Sequence, residues 1–205
     1  PKPYMNKQLL TLATTVILSL NSFAQLGSYQ YTGYTCAGTG NVVSQPSNAI
    51  FSAFTRNTVD CNSISNVFSS GNWSTGTSYD GNYYIQFTIT ANAGYYLTLT
   101  SLSFDQSRSG TGPSNARVAH NASGNFITDY NNFSPAATNN TINWNFTDVN
   151  TLVNGAVTFR IYGWNMTNSS GKFQFDNVTL NGTVTVAPPA PTAIASSNVT
   201  FCSGN

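Results

Sequence analysis

Few residues in this chain could transfer a proton in catalysis. Its 205 residues include six acidic side chains, all aspartate, and one histidine, His120. A glycosidase needs two suitably separated carboxylates, but most of these aspartates lie in turn-like contexts such as "YDGN", where Asp bonds to nearby backbone. The sequence contains neither a Gly-x-Ser-x-Gly turn nor a His-Glu-x-x-His helix. These observations predict a protein that is not an enzyme.

Aromatic residues among small polar ones are the stronger functional signal. Trp73 in "SGNWSTG" and Trp164 in "IYGWNMTNSSG" are predicted to lie in or near loops. Arg160 and Tyr162 alternate with the apolar residues of "VTFRIYG", so they face away from the core. A sugar ring binds to a flat aromatic face rimmed by hydrogen-bonding groups. These four residues form a candidate ligand-binding surface, and aromatic lids over the ends of a sandwich are the alternative interpretation.

The segment "GKFQFDNVTLNGTV" contains a carboxylate where its strand pattern changes phase. Phe173 and Phe175 share one parity, whereas Val178 and Leu180 share the other. Because a slip of one residue would send every later side chain to the opposite face, the pattern predicts a β-bulge or a bend at Asp176-Asn177. The Asp176 carboxylate therefore lies at the interruption of the pleat.

The three cysteines are Cys36, Cys61 and Cys202. Cys36 and Cys61 lie in adjoining loop-rich segments, so a disulfide between them is the preferred pairing. Cys202 is left over, either free or bonded to another chain.

The remaining sequence reads as short strands between Gly, Asn, Ser and Pro clusters. The strongest predicted strands are 83–90, 95–104, 116–120, 141–147, 157–163 and 172–186, and the weaker ones are 27–35, 49–55 and 66–70. Many short strands with long irregular connections predict an all-β fold, a two-sheet antiparallel β-sandwich of the jelly-roll type. The predicted core residues are Ile85, Phe87, Ile89, Leu97, Leu99, Ile142, Trp144, Phe146, Val157, Phe159 and Ile161.

Both ends of the sequence differ from this pattern. Residues 1–24 contain upstream residues and then a secretory signal peptide, with Met5, a basic Lys7, an apolar run and small residues before a cleavage point at Ala24. Residues 25–186 form the predicted β-sandwich module, 187–193 a Pro-rich linker and 194–205 the truncated start of a further module. The predicted location is therefore secreted or at the cell surface.

Several phrases resemble a known family, among them "FSSGNWSTG", "YYIQFTITANAGYYLTLTSLSFDQSRSGTGPSNARV" and "TFRIYGWNMTNSSGKFQFDNVTLNGTV". They are similar to a jelly-roll module of large secreted and surface proteins of Bacteroidetes-type bacteria, many of which carry sorting domains for type IX secretion. The tail "APPAPTAIASSNVTFCSGN" resembles the start of the Ig-like repeats that often follow. This resemblance implies a surface or adhesion module with further domains in the same polypeptide. "FDNV" also resembles a phrase of carbohydrate-binding jelly rolls in which the aspartate helps to hold structural calcium, which implies that role for Asp176. A bulge can direct a carboxylate and backbone carbonyls toward one point, as a Ca²⁺ site requires. The alternative is a buried aspartate bonded to backbone N–H groups of the first strand.

The leading hypothesis is a non-catalytic extracellular module for adhesion or glycan binding, with an extracellular polysaccharide or glycoconjugate as its partner. The alternatives are an accessory domain of a secreted hydrolase whose catalytic domain lies outside this chain, or a structural spacer. A net charge of +1 with scattered basic residues predicts no nucleic-acid partner and no membrane insertion of the mature chain.

Overall fold

The computed structural model describes residues 24–36 and 41–189, which form strands, turns and loops with no helix in either range. No membrane-spanning helix is therefore found in these two ranges. Most of the predicted signal peptide, Cys202 and the predicted start of a further module lie outside the described residues. The strands are β1 (Gln25–Gln30), β2 (Asn41–Ser44), β3 (Ala49–Phe51), β4 (Thr55–Asn57), β5 (Asp60–Cys61), β6 (Phe68–Gly71), β7 (Tyr84–Ala91), β8 (Tyr95–Arg108), β9 (Asn115–His120), β10 (Asp129–Phe133), β11 (Asn140–Asn150), β12 (Ala156–Trp164) and β13 (Phe173–Val186).

The strands form two antiparallel sheets. The first sheet has the order β11-β8-β13-β1-β2, with β6 beside β13 and β5 beside β6. The second sheet has the order β10-β9-β12-β7-β3, and β4 also pairs with β7. The pairs are nested, since β9 pairs with β10, β8 with β11, β7 with β12 and β1 with β13. A chain that doubles back in this way and alternates between two sheets is a jelly roll, which confirms the predicted fold class.

Side-chain alternation places the core between the sheets. Along β7 and β12, every second residue is buried over most of the strand length. The predicted core is confirmed, although Ile142 and Phe146 are only partly buried and pack against it. Aromatic rings fill much of the interior, as where Tyr29 lies 4.9 Å from Phe54 and 5.2 Å from Phe87 between ring centroids. Such edge-to-face pairs stabilise the core beyond the area they bury.

The predicted interruption of β13 is confirmed, and it is a β-bulge. Asp176 pairs with Asp105 and Thr179 with Ser103, so β13 advances three residues while β8 advances two. Asn177 takes up the extra residue with a φ of 48°, a left-handed conformation that Asn tolerates better than most side chains. As a result, Phe175 and Val178 both point into the core.

The predicted disulfide is also confirmed. Cys36 is bonded to Cys61, with 5.6 Å between the Cα atoms. The bridge connects the segment after β1 to β5, which lies at the edge of the first sheet.

Candidate functional site

The outer face of the second sheet brings together residues from three neighbouring strands. On β12, Arg160 and Tyr162 alternate with the buried Phe159 and Ile161, so they point away from the core as predicted. Residues directly opposite one another in antiparallel strands share a face. Tyr162 is paired with Tyr84 of β7 and with Arg117 of β9, and Arg160 is paired with Gln86 of β7.

Six aromatic rings and two arginines gather on this surface. The ring of Tyr79, in the loop before β7, lies 5.1 Å from that of Tyr162 and 5.9 Å from that of Trp164. The ring of Tyr84 lies 5.6 Å from that of Tyr162 on its other side. We name this surface the aromatic face, and it consists of Tyr79, Tyr84, Phe126, Tyr130, Tyr162, Trp164, Arg117 and Arg160.

Arg117 is held between two rings of the aromatic face. Its guanidinium carbon lies 3.8 Å from the ring centroid of Tyr130 and 4.3 Å from that of Tyr79. Its Nε donates a hydrogen bond of 2.9 Å to Oδ1 of Asn132 on β10. Stacking and one hydrogen bond therefore fix the orientation of the planar group.

Arg160 has the same arrangement with different partners. Its guanidinium carbon lies 4.0 Å from the ring centroid of Tyr84 and 3.9 Å from that of Phe126. Its Nε donates a hydrogen bond of 2.9 Å to Oε1 of Gln86. Burial raises the pKa of the neighbouring Tyr162 hydroxyl, and hydrogen bonding with Arg160 lowers it in part. The Tyr162 hydroxyl therefore stays neutral at physiological pH.

The residues of the aromatic face differ in exposure. Tyr130 is 41% exposed, whereas Tyr162 is 1% exposed beneath its neighbours. Tyr162 therefore supports the other rings rather than offering its own face to a ligand. Trp164 is half-buried at the end of β12 beside a depression of about 300 Å³. This depression is lined by Asn115, Ala116, Asn132, Phe133, Ser134 and Trp164.

Trp73 does not belong to this surface, which corrects the sequence-based prediction. It follows β6 directly and its side chain turns inward, with 1% exposed. Its Nε1 donates a hydrogen bond of 2.9 Å to the carbonyl oxygen of Ser70, and its ring lies 5.4 Å from that of Phe173. A Cβ added at Gly163 would lie 3.0 Å from the Trp73 ring, so β12 covers the indole closely. The polar neighbours in "SGNWSTG" gave no sign of this burial.

Sequence reasoning missed five members of the aromatic face. Tyr84 could have been found, because it precedes the core residue Ile85 and must point outward. Arg117 follows from the same alternation in β9. Tyr79 and Phe126 lie outside the strands and Tyr130 lies in a polar edge strand, and no periodic signal marks these three positions.

Asp176 lies on the first sheet, away from the aromatic face. Its Oδ1 is buried and has no hydrogen-bond partner. Asp105 stands opposite on β8, and its Oδ2 accepts a hydrogen bond of 2.8 Å from Nδ2 of Asn177. Hydrogen bonds from Asn177 and then Thr141 hold the pKa of Asp105 below its usual value. Within the described ranges, no three His, Cys, Asp or Glu side chains gather in a group that could hold a metal ion.

No family model matches the sequence, and no curated protein is similar to it. Solved structures with a similar course of the chain include a structure of CBM4, at 13% identity and a TM-score of 0.43, covering 64% of this chain and 87% of that chain. The N-terminal cellulose-binding domain of Cellulomonas fimi β-1,4-glucanase C has 11% identity and a TM-score of 0.43, and the match covers 65% of this chain and 90% of that domain. A family 11 carbohydrate-binding module from Clostridium thermocellum has 15% identity and a TM-score of 0.36, and the match covers 78% of this chain and 98% of that module.

Proposed function

We propose that residues 25–186 form a non-catalytic extracellular module that binds glycans on the aromatic face of the second sheet. The observation that carries this proposal is the gathering of six aromatic rings from two loops and four strand positions on one side of a rigid sheet. Aromatic residues that only fill the core are not expected to cluster on an outer face, and such a cluster indicates an interaction surface.

The chemistry of the face suits a sugar polymer. The C–H faces of a sugar ring pack on aromatic rings, and its hydroxyls need donors and acceptors at the rim. Half-buried Trp164 offers an indole beside the amides of Asn115 and Asn132. Gln86 and the two arginines add further polar groups along the sheet. A ligand that binds to such an open surface can extend beyond it in both directions, as a polysaccharide does.

Substituting one tryptophan at a time tests this proposal. Trp164→Ala should weaken binding of a glycan selected on an array by about tenfold, the loss expected for one aromatic anchor, with little change in melting temperature. Trp73→Ala is the matched control, because loss of a buried aromatic should cost about 3 to 5 kcal/mol of stability without removing a ligand contact. Full binding by folded Trp164→Ala, measured by titration calorimetry, would exclude the aromatic face as the glycan site.

The wider setting of the module is part of the proposal. The Cys36–Cys61 disulfide supports an oxidising, extracellular compartment. An accessory domain of a secreted hydrolase and a structural spacer remain the alternatives. Ig-like repeats and a type IX sorting domain in the full reading frame, with a Bacteroidetes-type source, would support the surface module. A catalytic domain there would support the hydrolase.

A structural calcium ion at Asp176 is a separate proposal. The buried, unpartnered Oδ1 of Asp176 supports it, since a cation would satisfy that oxygen. Because the described residues supply no acidic cluster there, the remaining ligands would be hydroxyl, amide or carbonyl oxygens and water.

A further inference from the structure

The four arginines of the chain fall into two classes according to their hydrogen bonds. Arg56 and Arg108 are structural, because their terminal nitrogens donate to groups of the fold. Arg56 donates to the carbonyl oxygen of Ser69 and to the Tyr34 hydroxyl. Arg108 donates from Nη1 to three carbonyl oxygens, those of Ser109, Gly110 and Gly112. Neither group is available to a ligand.

Arg117 and Arg160 belong to the other class. Each uses Nε to bond a side-chain amide, Asn132 or Gln86. Over the described ranges, no carbonyl or carboxylate oxygen accepts a hydrogen bond from Nη1 or Nη2 of either residue, although Arg160 also hydrogen-bonds with the Tyr162 hydroxyl. Stacking between two rings has already fixed both guanidinium planes, so little side-chain entropy would be lost on binding.

Among the described residues, no aspartate forms a salt bridge with either of these arginines. Asp129 is on β10, but it alternates with Tyr130 and lies 4.0 Å from Nδ1 of His120 instead. Asp80 accepts two hydrogen bonds from Asn82 in its loop. Within the described part of the chain, no salt bridge joins Arg117 or Arg160 to an acidic side chain. The aromatic face therefore carries two positive charges that the protein itself does not neutralise.

We propose that the aromatic face selects acidic glycans, whose carboxylate or sulfate groups bind to Arg117 and Arg160. This inference rests on the glycan-binding function proposed above and specifies its substrate class. A guanidinium can bind a carboxylate or sulfate with two parallel hydrogen bonds. The terminal nitrogens of Arg117 carry no such bond within the described residues, whereas Arg160 would share its donors between the ligand and the Tyr162 hydroxyl. Arg117 is paired with Tyr162, which lies two residues after Arg160 on β12. The Cα atoms of the two arginines are therefore diagonal neighbours about 7 to 8 Å apart on the same face. One polymer chain can therefore meet both charges while its rings pack on the aromatic residues.

The test compares polymers that share a backbone but differ in charge. Titration calorimetry would measure binding of the full chain to polygalacturonate, to its fully methyl-esterified form, to dextran sulfate and to unmodified dextran. The first pair is polygalacturonate and its methyl ester, and the second pair is dextran sulfate and dextran. We expect the acidic polymer of at least one pair to bind at least about tenfold more tightly than its uncharged partner, which is the contribution of one charge-assisted hydrogen bond. Raising the salt concentration should reduce this difference. Preference within the first pair identifies a carboxylate ligand, and preference within the second identifies a sulfate ligand.

Variants assign the selectivity to the two arginines. Arg117→Gln and Arg160→Gln should each reduce the preference for the acidic polymer about tenfold. The corresponding Arg→Lys variants should restore the preference only in part, because lysine keeps the positive charge but cannot donate two parallel hydrogen bonds to one anion. Lys172→Gln is the matched control, since it removes one positive charge just before β13 in the first sheet and should change nothing.

Equal affinity for the charged and uncharged polymers would overturn the acidic selectivity and leave glycan binding in place. Binding to poly-glutamate as tight as to the best acidic polysaccharide would overturn it too, because charge alone would then suffice. Failure to bind any glycan on an array or in these titrations would overturn both proposals.

Discussion

At the level of single residues, His120 is a titratable group buried among aromatic rings. It ends β9 inside the sandwich, where its ring stacks on Trp144 with 5.1 Å between centroids and packs edge-on against Phe146 and Phe159. Its Nε2 is buried and has no hydrogen-bond partner. Burial lowers the pKa of His120, and the nearby Asp129 carboxylate opposes this shift in part. The folded protein therefore holds His120 neutral at pH values where a free imidazole would be protonated.

This environment predicts a loss of stability at mildly acidic pH. The unfolded chain protonates its histidine near the ordinary pKa of about 6.5, whereas the folded chain does so only at lower pH. The free energy of unfolding should be constant above that value and should decrease as the pH falls below it. Urea unfolding at pH 8 and pH 5 measures the difference.

Two variants separate His120 from the other groups. His120→Phe keeps the ring stack and removes the titrating group, so it should lose most of the decrease between pH 8 and pH 5. Asp129→Asn should enlarge the decrease, because the charge that favours the imidazolium is gone. An unaltered decrease in His120→Phe would assign the pH dependence to other residues.

At the scale of elements, the long strands could be predicted because alternation continues over many residues. β7, β8, β11, β12 and β13 each fall within a few residues of the predicted range. Alternation also located the interruption in β13, because the parity change between Phe175 and Val178 requires a bulge or a bend in a strand with one buried face, and the structure has a bulge there. The short strands β2, β5 and β10 were missed, and the predicted strand 49–55 reached only the first residue of β4. They lie at sheet edges, where pairing comes from backbone groups and no apolar pattern is needed.

The candidate site was predictable only as far as it lies in long strands. Arg160, Tyr162 and Trp164 share the face that alternation assigned to them. The loops that bring Tyr79 and Phe126 over that face are fixed by long-range contacts, which a local pattern does not encode. Trp73 was misassigned for the same reason, since its burial depends on close packing against Gly163.

The disulfide gives a prediction about elements at the edge of the first sheet. Closing the loop between Cys36 and Cys61, which are 25 positions apart, should stabilise the fold by about 3 kcal/mol through restriction of the unfolded chain. The Cys36→Ser, Cys61→Ser double variant should therefore unfold at a lower urea concentration than the oxidised protein. Cys202→Ser is the control and should change nothing. A Cys61–Cys202 peptide in non-reducing mapping would contradict this bridge.

At the scale of the whole molecule, the nested pairing joins the first strand to the last. β1 pairs with β13 through Leu180 and Val178, and β6 pairs with the other part of β13 through Phe173 and Phe175. Asp176 lies between these two pairings, at the bulge. An interaction there would hold β1, β6, β8 and β13 together, so its strength should affect the melting of the entire sandwich.

The proposed calcium ion at Asp176 is therefore best tested by global stability. An ion that binds only the folded state raises the free energy of unfolding by mass action. After treatment with a chelator, millimolar calcium should raise the melting temperature, and magnesium should have a smaller effect because it demands stricter octahedral geometry. Asp176→Asn should abolish most of the calcium increment.

The same substitution separates the ion from the alternative of a purely structural aspartate. If Asp176 binds no ion, calcium leaves the melting temperatures of the unsubstituted protein and of Asp176→Asn unchanged. Asp105→Asn is the matched control on the neighbouring strand, because the Asp105 carboxylate already accepts hydrogen bonds from Asn177 and Thr141. A calcium increment that survives in Asp176→Asn and disappears in Asp105→Asn would move the site to β8, whereas no increment in any of the three proteins would leave Asp176 as a structural residue of the bulge.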